Sequence, residues 1–192
     1  MTSLHFKLAD PDLHRDDILN INIEYMSWVA SGIETSFGIS VASLLGMSVP
    51  AYVESVIDKV CGDKPPRGVF YLAEYHGEIA GMIGLRWLRD GAAEIKRLYV
   101  RPTCRGQQLG AALLRKILQD ASAFGYQRVF LDTAPFMLAA QRLYHTMGFT
   151  ACAPYTETEV PTALHATWHF MGLDLNDANL SDANHAPLSM IL

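Results

Sequence analysis

Residues 92–112 read AAEIKRLYVRPTCRGQQLGAA, and the point where this stretch changes period decides the fold. Its first nine residues are rich in apolar, branched and aromatic side chains as a strand is, and Pro102 then removes a backbone donor. From Leu109 the apolar residues recur every three or four positions through LGAALLRKILQDASAF (109–124), with Leu109, Leu113 or Leu114, Ile117 and Ala121 facing inward. A strand therefore feeds a helix through a basic, glycine-punctuated connection. The first turn of such a helix has unpaired N–H groups and the positive end of the dipole, so Gln107, Gln108, Leu109, Gly110 and Ala111 can offer backbone donors to an anion. Gly106 and Gly110 carry no side chain to block a bulky phosphate, and Arg105 adds a permanent charge with a planar donor fork. A diphosphate suits this loop; the alternative is that Arg101 and Arg105 are only solvated and the glycines only shape a turn. No Lys-Ser or Lys-Thr follows the second glycine and no GxGxxG is present, which excludes the two familiar nucleotide loops.

Upstream of the junction, VFYLAEY (69–75), the turn HGE, IAGMIGLRWL (79–88), the turn RDG and AAEIKRLYV (92–100) read as three successive antiparallel strands. Downstream, Gly125 stops the helix, RVFLDT (128–133) is a short strand, and PFMLAAQRLYHTMGF (135–149) is a helix ending at Gly148. Strand, helix, strand, helix in that order implies a parallel crossover in an otherwise antiparallel sheet. A first strand (3–8), a helical region (11–36) with Ile18, Ile21, Tyr25 and Trp28 on one face, a helix at 49–60, the loop GDKPPRG and a last strand at 167–175 complete the chain. The fold class is α/β (α+β): a mixed, mostly antiparallel sheet of about six to seven strands flanked by helices, with a β-α-β crossover. One domain over 1–175 and a loosely ordered tail over 176–192 are expected.

Composition narrows the function. With 192 residues, 50% hydrophobic and 18% charged, the chain can bury a full core. Its net charge of -5 provides no basic field for a nucleic-acid backbone or an anionic membrane, so neither is expected as a partner. Cys61, Cys104 and Cys152 are odd in number and form no CxxC pair, which fits a reducing cytoplasm better than a disulfide framework or a zinc site. His165 and His169 lie four apart without an evident third ligand, so no metal is expected. Neither an export leader nor a membrane span is indicated.

The run EIKRLYVRPTCRGQQLGAALL, followed by LDT and then AAQRLYHTMGF, resembles the acetyl-CoA-binding core of the GNAT superfamily of N-acetyltransferases over residues 69–150. In the family loop pattern Q/R-x-x-G-x-G/A, Arg105 and Gly110 match the ends, while Gln108 stands where the middle glycine is usual. In the helix pattern N-x-x-A-x-x-x-Y, Ala140 and Tyr144 match and Met137 replaces the asparagine. The resemblance implies acetyl-CoA as cofactor, with the diphosphate on the loop 105–111 and the pantetheine arm pairing with the backbone of Leu98, Tyr99 and Val100, where the family's fourth strand bulges away from the fifth. Thr133 and Ala139 are expected to line the same slot. Tyr144 corresponds to the family's proton donor to the coenzyme thiolate, and Glu94 to its frequent general base, acting through water; paired with Lys96 or Arg97, Glu94 is instead structural, and Tyr144 at helical spacing is alternatively core.

In this family the acceptor approaches between the first helical region and the loop before the last strand. Those segments hold Tyr25, Trp28 and Glu34 on one side and Tyr155, Glu157 and Glu159 on the other, a set of aromatics and carboxylates that suits a small cationic amine. The partner expected is a small-molecule or peptide amine; a homodimer is left open. Three functions compete: an acetyl-CoA-dependent N-acetyltransferase, a non-catalytic acyl-CoA-binding module, and an interaction protein using the helix at 109–124 for assembly.

Overall fold

The computed structural model describes residues 4–176; the segment expected as a tail lies, from residue 177, outside the described residues. Seven strands, β1 (Leu4–Leu8), β2 (Val69–Tyr75), β3 (Glu78–Arg89), β4 (Ala92–Val100), β5 (Arg128–Thr133), β6 (Thr150–Ala151) and β7 (His169–Asp174), form one sheet in the order β1-β2-β3-β4-β5-β7-β6. All neighbours are antiparallel except β4 and β5. Five helices flank it: α1 (Arg15–Phe37), α2 (Val41–Leu45), α3 (Val49–Val60), α4 (Leu109–Ala123) and α5 (Leu138–Thr146).

Strand alternation gives the sheet two buried faces. Ile83, Leu85, Ala93, Ile95, Val129 and Leu131 point to α4 and α5, where Leu113, Leu114, Ile117, Leu118 and Ala121 meet them. Both leucines of the 113/114 pair are fully buried. On the opposite face Phe70, Leu72, Met82 and Tyr99 receive Ile18 and Ile21 of α1 and Val53 and Ile57 of α3. That face continues past β4 to a small cluster of Leu88, Phe130, Tyr155 and Phe170. Glu94 and Lys96 alternate with Ala93 and Ile95, so they too are on the α1/α3 face.

Three local readings shift. The helix α1 begins at Arg15 and not near residue 11, because the Asp10 carboxylate accepts the N–H groups of Asp12 (2.9 Å) and Leu13 (3.3 Å) and turns the chain first. Ser40 caps the short α2, a helix that lies between the helical regions expected at 11–36 and 49–60. The two-residue β6 exists only through its pairing with β7, so no local pattern announces it.

Candidate active site

The parallel pairing of β4 with β5 runs only from Ala92 opposite Arg128 to Glu94 opposite Phe130. Beyond Glu94 the strands separate, because β4 is bulged: Tyr99 opposes Met82 and Lys96 opposes Gly84, so Arg97 and Leu98 together face one residue of β3. Arg97 sits at φ 57°, a left-handed conformation costing about 1–2 kcal/mol for a side-chain-bearing residue. What holds it is a partly buried hydrogen bond: Arg97 Nη1 donates to Asn22 Oδ1 at 2.8 Å, and the fully buried Asn22 donates in turn to the Ile18 carbonyl at 2.7 Å. Leu98, Tyr99 and Val100 thereby keep a backbone edge that no strand of the described residues pairs on the β5 side.

One end of this gap is the start of α4. Its first intrahelical bond is Ala112 N–H to the Gln108 carbonyl, leaving the N–H groups of Leu109, Gly110 and Ala111 free of helical partners. Gly106 (φ 80°) and Gln108 (φ 58°) are both left-handed, which explains why glycine is the usual residue at the second of these positions. A Cβ on Gly110 would lie 3.5 Å from Leu143 Cδ2, ordinary contact, so alanine fits there but little more. The two arginines differ: Arg101 is committed to Glu24 (2.7 and 3.0 Å) and the Ile79 carbonyl (2.6 Å). Arg105 makes one 3.2 Å bond from Nε to the Val100 carbonyl, with its guanidinium 5.8 Å from the Trp28 ring centre.

At the other end stand Thr133 and Tyr144. Thr133 is 2% exposed and its Oγ1 has no partner among the described residues. Tyr144 packs on Phe149 in the core, and burial, reinforced by Tyr25 and Asp132, holds its phenol well above the ordinary range. Ala140 is half-buried and Ala139 exposed on the first turn of α5. Across the gap Tyr25, Trp28 and Tyr99 form an aromatic wall closed by Phe136 on Trp28. Burial also pushes the Tyr25 phenol up to about 12.

The acceptor side is a web of charges. Glu94 is fully buried; one oxygen accepts the Tyr155 hydroxyl and the other accepts Arg86 Nε (2.9 Å) and Nη2 (2.5 Å). Glu157 pairs with Arg89 at 2.6 Å, which holds its carboxyl below the usual range. Glu159 receives Arg86 at 2.9 Å, Lys59 at 3.4 Å and Lys96; although partial burial opposes ionisation, these cations hold it down to about 2. Glu34 is exposed on α1 and joins none of these pairs. Asp132, near the end of β5 on the same face as Phe130, accepts the Trp168 indole N–H at 2.8 Å through one oxygen. Burial pushes it up to about 6 against that hydrogen bond, and the charge of Glu94 adds to the rise.

These features were compared with known proteins. The acetyltransferase (GNAT) family model matches residues 46–149, just over half of the chain. The chain belongs to the GNAT acetyltransferase family. An uncharacterized N-acetyltransferase of Schizosaccharomyces pombe is 37% identical over 103 residues, 53% of this chain and 63% of its own length. Human N-acetylaspartate synthetase is 31% identical over 122 residues, 56% of this chain and 40% of that protein. The matches thus span less than two thirds of these relatives. The family's fold is present over nearly the whole chain: a GNAT acetyltransferase of Staphylococcus aureus superposes with TM-score 0.67 over 90% of this chain and 99% of that one at 18% identity. PaiA N-acetyltransferase of Thermoplasma acidophilum, solved with coenzyme A, gives 0.64 over 90% and 99% at 16% identity.

Sequence reasoning missed Asn22, Arg86, Asp132 and Trp168. Asn22 had a signal, an amide inside an otherwise apolar helix face; Asp132 and Trp168 meet across 36 positions, and Arg86 joins Glu94, eight positions on, to Glu159, 73 positions on. No helix among the described residues is long and apolar enough to cross a membrane, and none of their His, Cys, Asp and Glu side chains cluster to hold a metal ion.

Proposed function

We propose that the chain transfers an acetyl group from acetyl-CoA to the amine of a small molecule or peptide, by direct attack with both partners bound. The observation that carries this reading is the unpaired edge of β4 beyond Glu94, which leads to the free N–H groups at the start of α4. The residues present suit the coenzyme: the amides of Leu109 to Ala111 with Arg105 would hold its diphosphate, and the edge of Leu98 to Val100 would pair with its amide-bearing arm. The orphan hydroxyl of Thr133 offers that slot a buried polar partner. Acetyl-CoA supplies an activated acyl group and a thiolate that leaves.

An N–C bond forms as a C–S bond breaks, so one proton must leave nitrogen and one must reach sulfur. Tyr144, kept protonated by burial, donates to sulfur. A backbone N–H freed at the bulge donates to the thioester oxygen as charge develops there. Two carboxylates can receive the amine proton. Glu94 is fully buried with both oxygens engaged by Arg86 and Tyr155, so it takes the proton only if one of these partners gives way. Asp132 is favoured as the direct acceptor: among the described residues only one of its oxygens is engaged, by Trp168, and its raised pKa is matched to proton transfer near neutrality. A cytoplasmic setting is part of this reading and is supported by three free cysteines.

The test is release of free thiol from acetyl-CoA across a panel of amino acids, polyamines, aminoglycosides and short peptides. Amine-dependent release supports the reading. Tight coenzyme binding with no release from any amine would leave an acyl-CoA-binding module in its place.

A further inference from the structure

Three cations from three elements meet on one carboxylate. Lys59 of α3, Arg86 of β3 and Lys96 of β4 all reach Glu159. The cations stand on elements fixed by the sheet and by the packing of α3, whereas the acid comes from the connection 152–168, whose regular structure is one short turn at Thr162–Leu164. The scaffold builds a carboxylate site and a loop residue, its side chain 49% exposed, fills it.

The surroundings extend the argument. A cavity between α3 and β2 to β4 is bordered by Lys59, Arg86, Lys96 and Arg97, with Asp63 and Glu159 as its acids. With Glu159 swung away, Lys59, Arg86, Lys96 and Arg97 set four positive charges against two negative ones, Asp63 on the wall and Glu94 behind Arg86 (2.5 Å) and Lys96 (3.6 Å), and cations this close want a further anion. Tyr52, Val56 and Phe70 line the same cavity and leave apolar room for a side chain. Glu94 offsets one of these charges and, with both oxygens engaged by Arg86 and Tyr155, has none left to turn towards Lys59. Asp132 lies near enough to feel both Lys96 and Glu159, and its second oxygen has no hydrogen-bond partner among the described residues. Asp132 does not line the cavity itself, and an anion site with a carboxylate beyond its wall fits a ligand with a negative and a positive end.

We propose that the acceptor is an amino carboxylate, an amino acid or a peptide with a carboxylate close to its amine, whose carboxylate replaces that of Glu159 on Lys96, Arg86 and Lys59 while its ammonium faces Asp132. This rests on the acetyl-transfer reading above and reverses the expectation of a cationic acceptor, because Glu157 and Glu159 are neutralised by Arg89 and by the three cations. Glu159 is then an internal competitor that the acceptor displaces.

The experiment compares amino acids with their decarboxylated amines, phenylalanine with phenethylamine, tyrosine with tyramine and histidine with histamine, by thiol release from acetyl-CoA. The amino acids should have kcat/KM about 10- to 100-fold higher, the worth of one or two charge-assisted bonds. Lys96→Met should raise KM for the amino acid about tenfold or more without changing coenzyme affinity, and Glu159→Gln should lower that KM, a gain that a merely structural loop contact does not produce. Calorimetric titration of the same amino acids into the coenzyme A complex reads the site without turnover. If the decarboxylated amines react as well or better, or Glu159→Gln raises KM, the carboxylate site is overturned while acetyl transfer stands. If neither these pairs nor the wider panel of amines releases thiol, acetyl transfer falls, and absence of amino-acid binding in the calorimeter overturns the carboxylate site as well.

Discussion

Replacing Glu94 by glutamine removes one negative charge from a place that water does not reach. The carboxylate accepts two N–H groups of Arg86 and the Tyr155 hydroxyl, and breaking a buried ion pair by removing one partner costs about 3–5 kcal/mol. Two features of the site reduce that figure. Glutamine keeps the volume, its carbonyl can still accept from Arg86 while its amide donates to the Tyr155 oxygen, and Arg86, with a quarter of its side chain exposed, retains Glu159 at 2.9 Å. The expected loss is therefore about 2–3 kcal/mol, which at roughly 2–4 °C per kcal/mol for a domain of this size lowers Tm by about 4–12 °C. Scanning calorimetry of the two proteins at neutral pH measures it. A Tm within about 1 °C of the parent would refute the reasoning, for it would mean the pair contributes nothing net and Glu94 is free to act as the proton acceptor.

Asp132→Asn tests the other carboxylate: only ionised Asp132 can take a proton, so kcat/KM of the parent should fall as pH drops through about 6, and the variant should lose that limb along with most of its rate. Tyr144→Phe should lower kcat by about 10²- to 10⁴-fold and leave desulfo-coenzyme affinity unchanged, since the hydroxyl matters when charge develops on sulfur; a parent-like kcat with chemistry rate-limiting would remove the proton donor from the scheme. Arg105→Ala should weaken desulfo-coenzyme binding by about 1.5–3 kcal/mol, and an unchanged dissociation constant would take Arg105 out of the diphosphate site.

The sequence by itself determined the elements whose causes are local. The meander β2 to β4 follows from period-two runs broken by HGE and RDG, α4 from a 3.6-residue period opened by a glycine loop, and the crossover to β5 from their order. The free N–H groups of Leu109 to Ala111 were legible because a helix end depends on residues adjacent in the chain, whereas the roles proposed for Arg105, Tyr144 and Glu94 rest on the family resemblance. The work of the charged residues was decided only in three dimensions. Glu159 meets Lys59 across 100 positions and Arg86 across 73, and Glu94 meets Tyr155 across 61. Such pairings are set by sheet register and by which face each residue lands on, so the two loop glutamates that read as suited to a cationic amine, Glu157 and Glu159, are instead neutralised by cations of the sheet and α3. The gap between β4 and β5 has the same origin. Its cause is Arg97 held left-handed by an asparagine 75 residues earlier, a contact that exists only once α1 has packed on the sheet.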